Sequence, residues 1–436
     1  MTDISNGTVV YWMRRDLRLH DNHALYEALC SELPVVPVFI FDPNILDELS
    51  RDDARITFLH DTLSNLKKEL SEQGSDLKVY YGDPIEIYKK IISTYNVKSI
   101  YANRDYEPYA LKRDNTVRSL IESSGGVYYD YKDHVITERQ EILSNSDKPY
   151  TVFTPYKKKW LARLEDQGIQ QYPSERTLDQ LAQLETEPMI SLSEMKFERS
   201  TIHIPSTNVS QQLIRNYDKT RNFPGLENST SRLGIHLRFG TISIREKAIK
   251  AKKLNDTYLS ELIWRDFYSQ ILSNFPHVVD GAFRPKYDTI SWRTDESDLQ
   301  AWKDGNTGYP MVDAGMRELN TTGYMHNRVR MITASFLTKH LLINWRMGEA
   351  YFAEKLLDYD LASNNGGWQW ASGSGTDAAP YFRIFNPASQ LQKFDKELLY
   401  IKKWIPEYGT DDYVEPIVDH KFARQRCLAT YKEALA

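Results

Sequence analysis

The sequence predicts an α/β N-terminal domain built on a parallel sheet, joined by a long linker to an all-α domain. Three observations carry this. Over the first third of the chain, short β-branched and aromatic runs alternate with amphipathic helical patterns, the signature of a parallel sheet covered on both faces. Residues 135–205 are then rich in Ser, Glu, Gln and Pro and weakly periodic, as in a segment that wraps between domains. From about Ser210 onward, apolar residues recur almost only at helical spacing.

In order, Val9–Met13, Val35–Phe41, Lys78–Tyr81, Ser99–Ala102 and Val127–Tyr131 read as buried strands. Asn22–Leu29, Arg55–Gln73, Pro84–Tyr95 and Pro108–Ser123 read as the helices between them. The architecture is Rossmann-like, but no Gly-x-Gly-x-x-Gly follows the first strand, so the likeness implies no dinucleotide. Some helix is expected around Pro155–Glu165 within the linker. Ile214–Tyr217, Leu259–Phe275, Asp298–Lys303, Pro310–Asn320, Asn327–Asn344 and Gly348–Leu357 complete the helical part. The predicted domains are 1–134 and 206–436, with 135–205 as the linker.

With 436 residues, 41% hydrophobic and 26% charged, the chain has the composition of an ordinary globular protein with a substantial core. No apolar run approaches the ~20 residues needed to span a bilayer. The polar start, Met1 to Thr8, is not a signal peptide, so a cytoplasmic location is expected. Cys30 and Cys427 lie at opposite ends of the chain, which gives no disulfide framework and no zinc spacing, and no metal is expected. A net charge of −5 argues against indiscriminate nucleic-acid binding but leaves room for a local basic face. Seven of the nine Trp lie after residue 260. Large cores use Trp as filler, yet the clustering invites an electronic or stacking role.

The candidate chemistry is concentrated in the second half. Asn364-Asn365-Gly366-Gly367 precedes Trp368-Gln369-Trp370. Two amides and two glycines make a poor helix and suit a bend where backbone approaches something closely. Upstream, Leu341, Trp345, Phe352 and Leu356 fall on one helical face. Glu261, Trp264 and Arg265 share a side of another helix at i, i+3 and i+4. Asn327, Arg328 and Arg330 open a third helix. Thr230-Ser231-Arg232-Leu233 offers hydroxyls ahead of a helix, which fits either a simple N-cap or a pyrophosphate cradle. Each motif alone has a bland reading as cap, solvated face or core.

Their combination is specific. Glu261–Tyr268, Thr307-Gly308-Tyr309-Pro310, Met325-His326-Asn327-Arg328, Asn364–Trp370, Tyr381–Pro387 and, after the first strand, Arg14-Arg15-Asp16-Leu17-Arg18 together resemble the photolyase/cryptochrome flavoprotein family, most closely the class I photolyases that split cyclobutane pyrimidine dimers. The resemblance covers nearly the whole chain. It implies FAD held in the helical domain by Tyr217, Thr230, Ser231, Arg232, Leu233, Glu261, Trp264, Arg265, Tyr268, Asn327, Arg330, Asp358, Asp360 and Asn364. Where the family usually continues Ser-Pro, this chain has Gly234-Ile235, one hydroxyl fewer. Arg330 and Asp358 match the ion pair beside the flavin, Asp360 the acceptor of a ring N–H, and Asn364 the residue facing the flavin N5.

Trp368, Trp345 and Trp292 match the family's electron-transfer chain, from flavin to surface. No role is claimed for Trp302 or Trp404. Trp264 and Trp370 match the aromatic contacts of a flipped-out dimer, with Glu261, Asn327 and Met331 on its edges. Arg221, Arg328, Arg383 and Gln390 match the rim that meets DNA, which Lys157-Lys158-Lys159 extends or merely solvates. Photolyases for the pyrimidine–pyrimidone lesion carry His where this chain has Met331, and plant cryptochromes carry Asp where it has Asn364. The expected function is therefore light-driven repair of cyclobutane pyrimidine dimers by a monomer acting on UV-damaged DNA. The alternatives are a cryptochrome-like photoreceptor, which the lack of a long extension after Tyr431 weakens, a photolyase for the other lesion, and a DNA-binding protein without flavin. Asn103–Pro108 follows a strand and resembles the antenna side of the family. A second chromophore (deazaflavin, FMN or methenyltetrahydrofolate) and no antenna at all stay open.

Overall fold

The computed structural model describes residues 7–436; the polar lead up to Asn6 lies outside the described residues. The chain forms two compact units. One comprises residues 7–138, 163–207 and 234–250, and the other residues 139–162, 208–233 and 251–436. The segment read as a linker is thus divided between them, with a helix over Phe153–Gln167.

The first unit is built on five parallel strands, β1 (Thr8–Met13), β2 (Val35–Phe41), β3 (Lys78–Tyr81), β4 (Val97–Asn103) and β5 (Val127–Tyr131), in the order β3-β2-β1-β4-β5. All of β1 and β2 is buried, because helices cover both faces of the sheet. Alternation sends Val9, Tyr11 and Met13 into one apolar layer and Val10 and Trp12 into the other. One buried network in this unit joins four ionic groups. Asp133 takes Arg18 at 2.8 Å and Arg245 at 2.8 Å, while Arg245 also bonds Asp21 at 3.0 Å. Paired in this way, charges that would be prohibitive singly fix the segments that carry them.

The second unit is helical, and its largest apolar cluster gathers Met311, Val312, Phe336, Leu337, Trp345, Phe352 and Trp368. Two expectations need correction. The helix predicted over Asn327–Asn344 runs as α-helix only from Asn327 to Ser335. It widens into a π turn at Phe336–His340 and stops, with Leu342 at φ +54°. Leu341 therefore does not share a helix with Trp345, whose own helix spans Trp345–Lys355.

Asn364–Gly367, expected as a bend, lies inside a helix over Leu361–Ser372. The start is fixed by Asp360, whose carboxylate accepts from the Ser363 N–H at 3.0 Å. Tertiary contacts override the poor propensity of the run. Asn364 Nδ2 donates to the Glu349 carbonyl, and Asn365 Nδ2 donates to the Val278 carbonyl and the Glu349 carboxyl.

Candidate functional site

The helical unit holds an open cavity of about 440 Å³. Its wall draws on three helices that the sequence marked separately. The Asp256–Asn274 helix, capped by Asn255, contributes Glu261, Trp264, Arg265 and Tyr268 one turn apart on one side. The Asn327–Ser335 helix adds Asn327, Arg328, Arg330 and Met331, and the Leu361–Ser372 helix adds Ser363, Asn364, Gly367, Trp368 and Trp370. Arg221 stands at the rim, and Asp358, Tyr359 and Asp360 close the side ahead of the last helix.

The glycines explain why these helices can come so close. A methyl group at Gly366 would sit 2.1 Å from Cδ1 of Tyr268. At Gly348 it would sit 2.1 Å from the Trp368 ring. At Gly367 it would meet nothing within 4 Å, since that position opens on the cavity.

The electrostatics are those of a site prepared for anions and polar rings. Arg330 reaches Asp358 at 3.0 Å. Burial penalises its cation, but the carboxylate more than offsets this, so the guanidinium stays charged. Arg221 donates to Glu261, whose pKa burial raises even against that partner. Among the described residues Arg328 finds no carboxylate. Its Nη2 bonds Asn222 at 2.6 Å, and its buried Nε has no partner among the described residues. Burial and the nearby Arg221 both lower its pKa. His326, buried beneath Arg330 and Arg328, is pushed down to about 3 and is neutral. Asn364 donates an Nδ2 hydrogen to the Glu349 carbonyl and lines the cavity with a neutral amide.

Other predicted residues lie away from the cavity wall. Tyr217 is buried under the Arg221 guanidinium. Thr230 meets Tyr324 at 2.9 Å, Ser231 meets Tyr258 at 3.0 Å, the Arg232 guanidinium lies over the Tyr324 ring, and Leu233 is buried. Arg383 is exposed and Gln390 half-buried. Trp368 and Trp345 are core residues, and Trp292 packs against the same core from a more exposed position. The aromatic rings nearest Trp368 are those of Phe352 and Trp302, at 5.0 and 6.1 Å. Trp302, read from sequence as filler, thus touches the ring of greatest interest. Two further residues escaped the sequence reading. Phe153 stacks on Trp264 at 3.6 Å, and Glu349 underlies both asparagines. Neither has a local signal, because each acts on a helix remote in sequence.

In the α/β unit the Asn103–Pro108 segment is spent on internal pairing. Asn103 bonds Asp16 and Asn22, Arg104 bonds Asp130, and Asp105 bonds Arg15. The void beside them is about 10 Å³, no more than one water.

Comparison with known proteins agrees with this geometry. Residues 9–175 match the family model described as DNA photolyase, and residues 258–411 match the FAD binding domain of DNA photolyase. A deoxyribodipyrimidine photo-lyase of Halobacterium salinarum is 37% identical, over 98% of this chain and 99% of that one. Among solved structures, a bacterial class III photolyase from Agrobacterium tumefaciens superimposes with a TM-score of 0.84 at 32% identity, covering 98% of both chains. An archaeal photolyase from Sulfolobus tokodaii, described with two FAD molecules and a novel light-harvesting cofactor, gives 0.81 at 34% identity, covering 98% of this chain and 100% of that one. The chain belongs to the DNA photolyase family, and its helical unit carries that family's FAD-binding domain.

The residues present fit a flavin. The cavity joins aromatic walls to the Arg330–Asp358 ion pair and the neutral amide of Asn364, and Gly367 leaves its wall open.

Proposed function

We infer that this chain splits cyclobutane pyrimidine dimers in DNA under blue or near-UV light, with reduced FAD as the electron donor. One observation carries the reading. The residues assigned to flavin (Arg330, Asp358, Asp360, Asn364) and those assigned to the lesion (Glu261, Trp264, Asn327, Met331, Trp370) line one cavity. An electron donor and its acceptor would therefore meet in a single space. FAD, when bound, supplies the light absorption and the transferable electron.

The protein supplies the rest. Trp264 and Trp370 offer faces to a flipped pyrimidine pair, and stacking of this kind is worth ~1–3 kcal/mol per base. A dimer pairs poorly, which makes it cheaper to extrude than an intact base. Glu261 and Asn327 supply polar contacts to its edges. The Met331 thioether adds apolar contact and can donate no proton, so the reading favours the cyclobutane lesion over the pyrimidine–pyrimidone one. Arg328, without a carboxylate partner among the described residues, and Arg221 suit DNA phosphates at the rim. Trp368, Trp345 and Trp292 are assigned to carrying electrons inward for photoreduction.

A monomer and a cytoplasmic location belong to the same reading. No helix among the described residues is long and apolar enough to cross a membrane. A second chromophore belongs to the same reading.

The test is direct. Purified protein is expected to carry flavin absorption, and after chemical reduction to restore intact thymines in a dimer-containing oligonucleotide in light and not in darkness. Flavin without light-dependent restoration would turn the reading toward a photoreceptor, and absence of visible absorption would overturn it.

A further inference from the structure

The Trp264 indole is held on one side before any ligand arrives. Phe153 lies on it almost parallel, with ring centroids 3.6 Å apart and planes 7° from coplanar. Phe267 meets it edge-on at 5.5 Å and Tyr268 tilts against it at 5.4 Å. Trp264 lines the cavity and Phe153 does not, so Phe153 covers one face and leaves the other available.

Phe153 is itself fixed by its surroundings. It opens the Phe153–Gln167 helix, and its N–H, one of the helix's unpaired donors, is taken by Asp377 Oδ2 at 3.2 Å. Asp377 comes from the segment that follows the Leu361–Ser372 helix and is held at φ +47°, a conformation that costs free energy unless a contact repays it. Further along, Tyr156 packs on Phe267, Lys157 bonds Ser260 at 2.6 Å, and the Trp160 indole N–H bonds Asp266 at 3.0 Å. The start of this helix is thereby clamped to the back of the one that bears Glu261 and Trp264.

We propose that Phe153, with Asp377 as its anchor, is a positioning residue for lesion recognition: it backs the Trp264 indole so that the ring presents one preset face to the damaged base pair. The proposal rests on the reading of Trp264 as a lesion contact. A side chain without a backing ring would lose rotameric order, and ordering it on binding weakens affinity. An aromatic pair is worth ~0.5–1.5 kcal/mol, so its loss converts to a roughly 2- to 12-fold weaker complex.

The experiment measures the affinity of the flavin-loaded protein for an oligonucleotide with one thymine dimer and for its undamaged twin. The variants are Phe153→Leu, Phe153→Tyr, Asp377→Asn, Trp264→Ala and Phe153→Leu in the Trp264→Ala background. Phe153→Leu is expected to lose roughly 2- to 12-fold toward damaged DNA and nothing toward undamaged DNA. Its flavin spectrum should be unchanged, and Phe153→Tyr should restore the loss. In the Trp264→Ala background Phe153→Leu should cost nothing further. If Phe153→Leu fails to fold or to keep flavin, Asp377→Asn decides, with a smaller loss of the same selectivity, also abolished without Trp264. Equal discrimination by Phe153→Leu and the parent, or additive losses with Trp264→Ala, would overturn the proposal. Unchanged discrimination by Trp264→Ala alone would instead overturn the lesion contact beneath it.

Discussion

The adjacent glycines Gly366 and Gly367 should respond in opposite ways to the same methyl group. In a helix interior, Gly→Ala stabilises by about 1 kcal/mol through propensity alone. At Gly366 the new Cβ would lie 2.1 Å from Cδ1 and 2.3 Å from Cε1 of Tyr268, a ring wedged into the cavity wall. Relieving such overpacking costs about 1–3 kcal/mol, and contacts this short put the cost at the upper end. The net for Gly366→Ala is a loss of about 2 kcal/mol, with the wall displaced. At Gly367 nothing lies within 4 Å, so the flavin-free protein should keep the full gain of about 1 kcal/mol. The same methyl projects into the cavity and should clash with whatever fills it. The assay is flavin per protein by absorbance after purification, beside denaturant midpoints of flavin-stripped protein. Gly367→Ala should be the more stable apoprotein and hold less flavin than the parent. A Gly367→Ala protein that binds flavin fully would refute the claim that the cofactor packs on this wall. A Gly366→Ala protein as stable as the parent would refute the packing argument.

Three further outcomes follow from the geometry. Burial pushes the Glu349 carboxyl up to about 7, so between its ordinary value near 4.5 and 7 the folded state binds more protons than the unfolded. Stability should therefore fall as pH rises through that window, by about 1–3 kcal/mol given its partial solvent access, and Glu349→Gln should flatten the trend in denaturant midpoints measured from pH 5 to 8. Trp368→Phe should slow light-driven reduction of the bound flavin at least ~10-fold, about 1.4 kcal/mol of barrier, yet leave dimer splitting by chemically reduced protein intact; equal loss of both would move Trp368 from electron supply to repair. Arg245→Met strips Asp21 of its buried cation and leaves Asp133 with Arg18 alone, which should cost about 3–5 kcal/mol in thermal or denaturant melts; a loss under 1 kcal/mol would show the network to be dispensable.

What could be read from the sequence was what is written locally. Alternation of β-branched runs with helical periods located all five strands, because a strand buried on both faces has little choice of composition. Spacing within one helix put Glu261, Trp264 and Arg265 on a common side, and they share the cavity. The failures came where tertiary contacts outvote propensity. Asn364–Gly367 looks like a bend because two glycines and two amides disfavour helix. It is helical because Tyr268 needs the space at Gly366 and Glu349 holds both amides. The π turn at Phe336–His340 and the left-handed Leu342 carry no Gly or Pro to announce them. Phe153 and Trp302 meet Trp264 and Trp368 only after folding, so no window of sequence could have paired them.

The central claim is that lesion and electron donor share this cavity and that the lesion is the cyclobutane dimer. It is tested most directly by giving the reduced, flavin-loaded protein two otherwise identical oligonucleotides, one with a cyclobutane thymine dimer and one with the pyrimidine–pyrimidone adduct, and counting intact thymines released under blue light. The account predicts light-dependent restoration of the first and none of the second, with Trp264→Ala and Trp370→Ala weakening binding to the first. Restoration of the adduct, or of neither lesion by protein that holds reduced flavin, would contradict it.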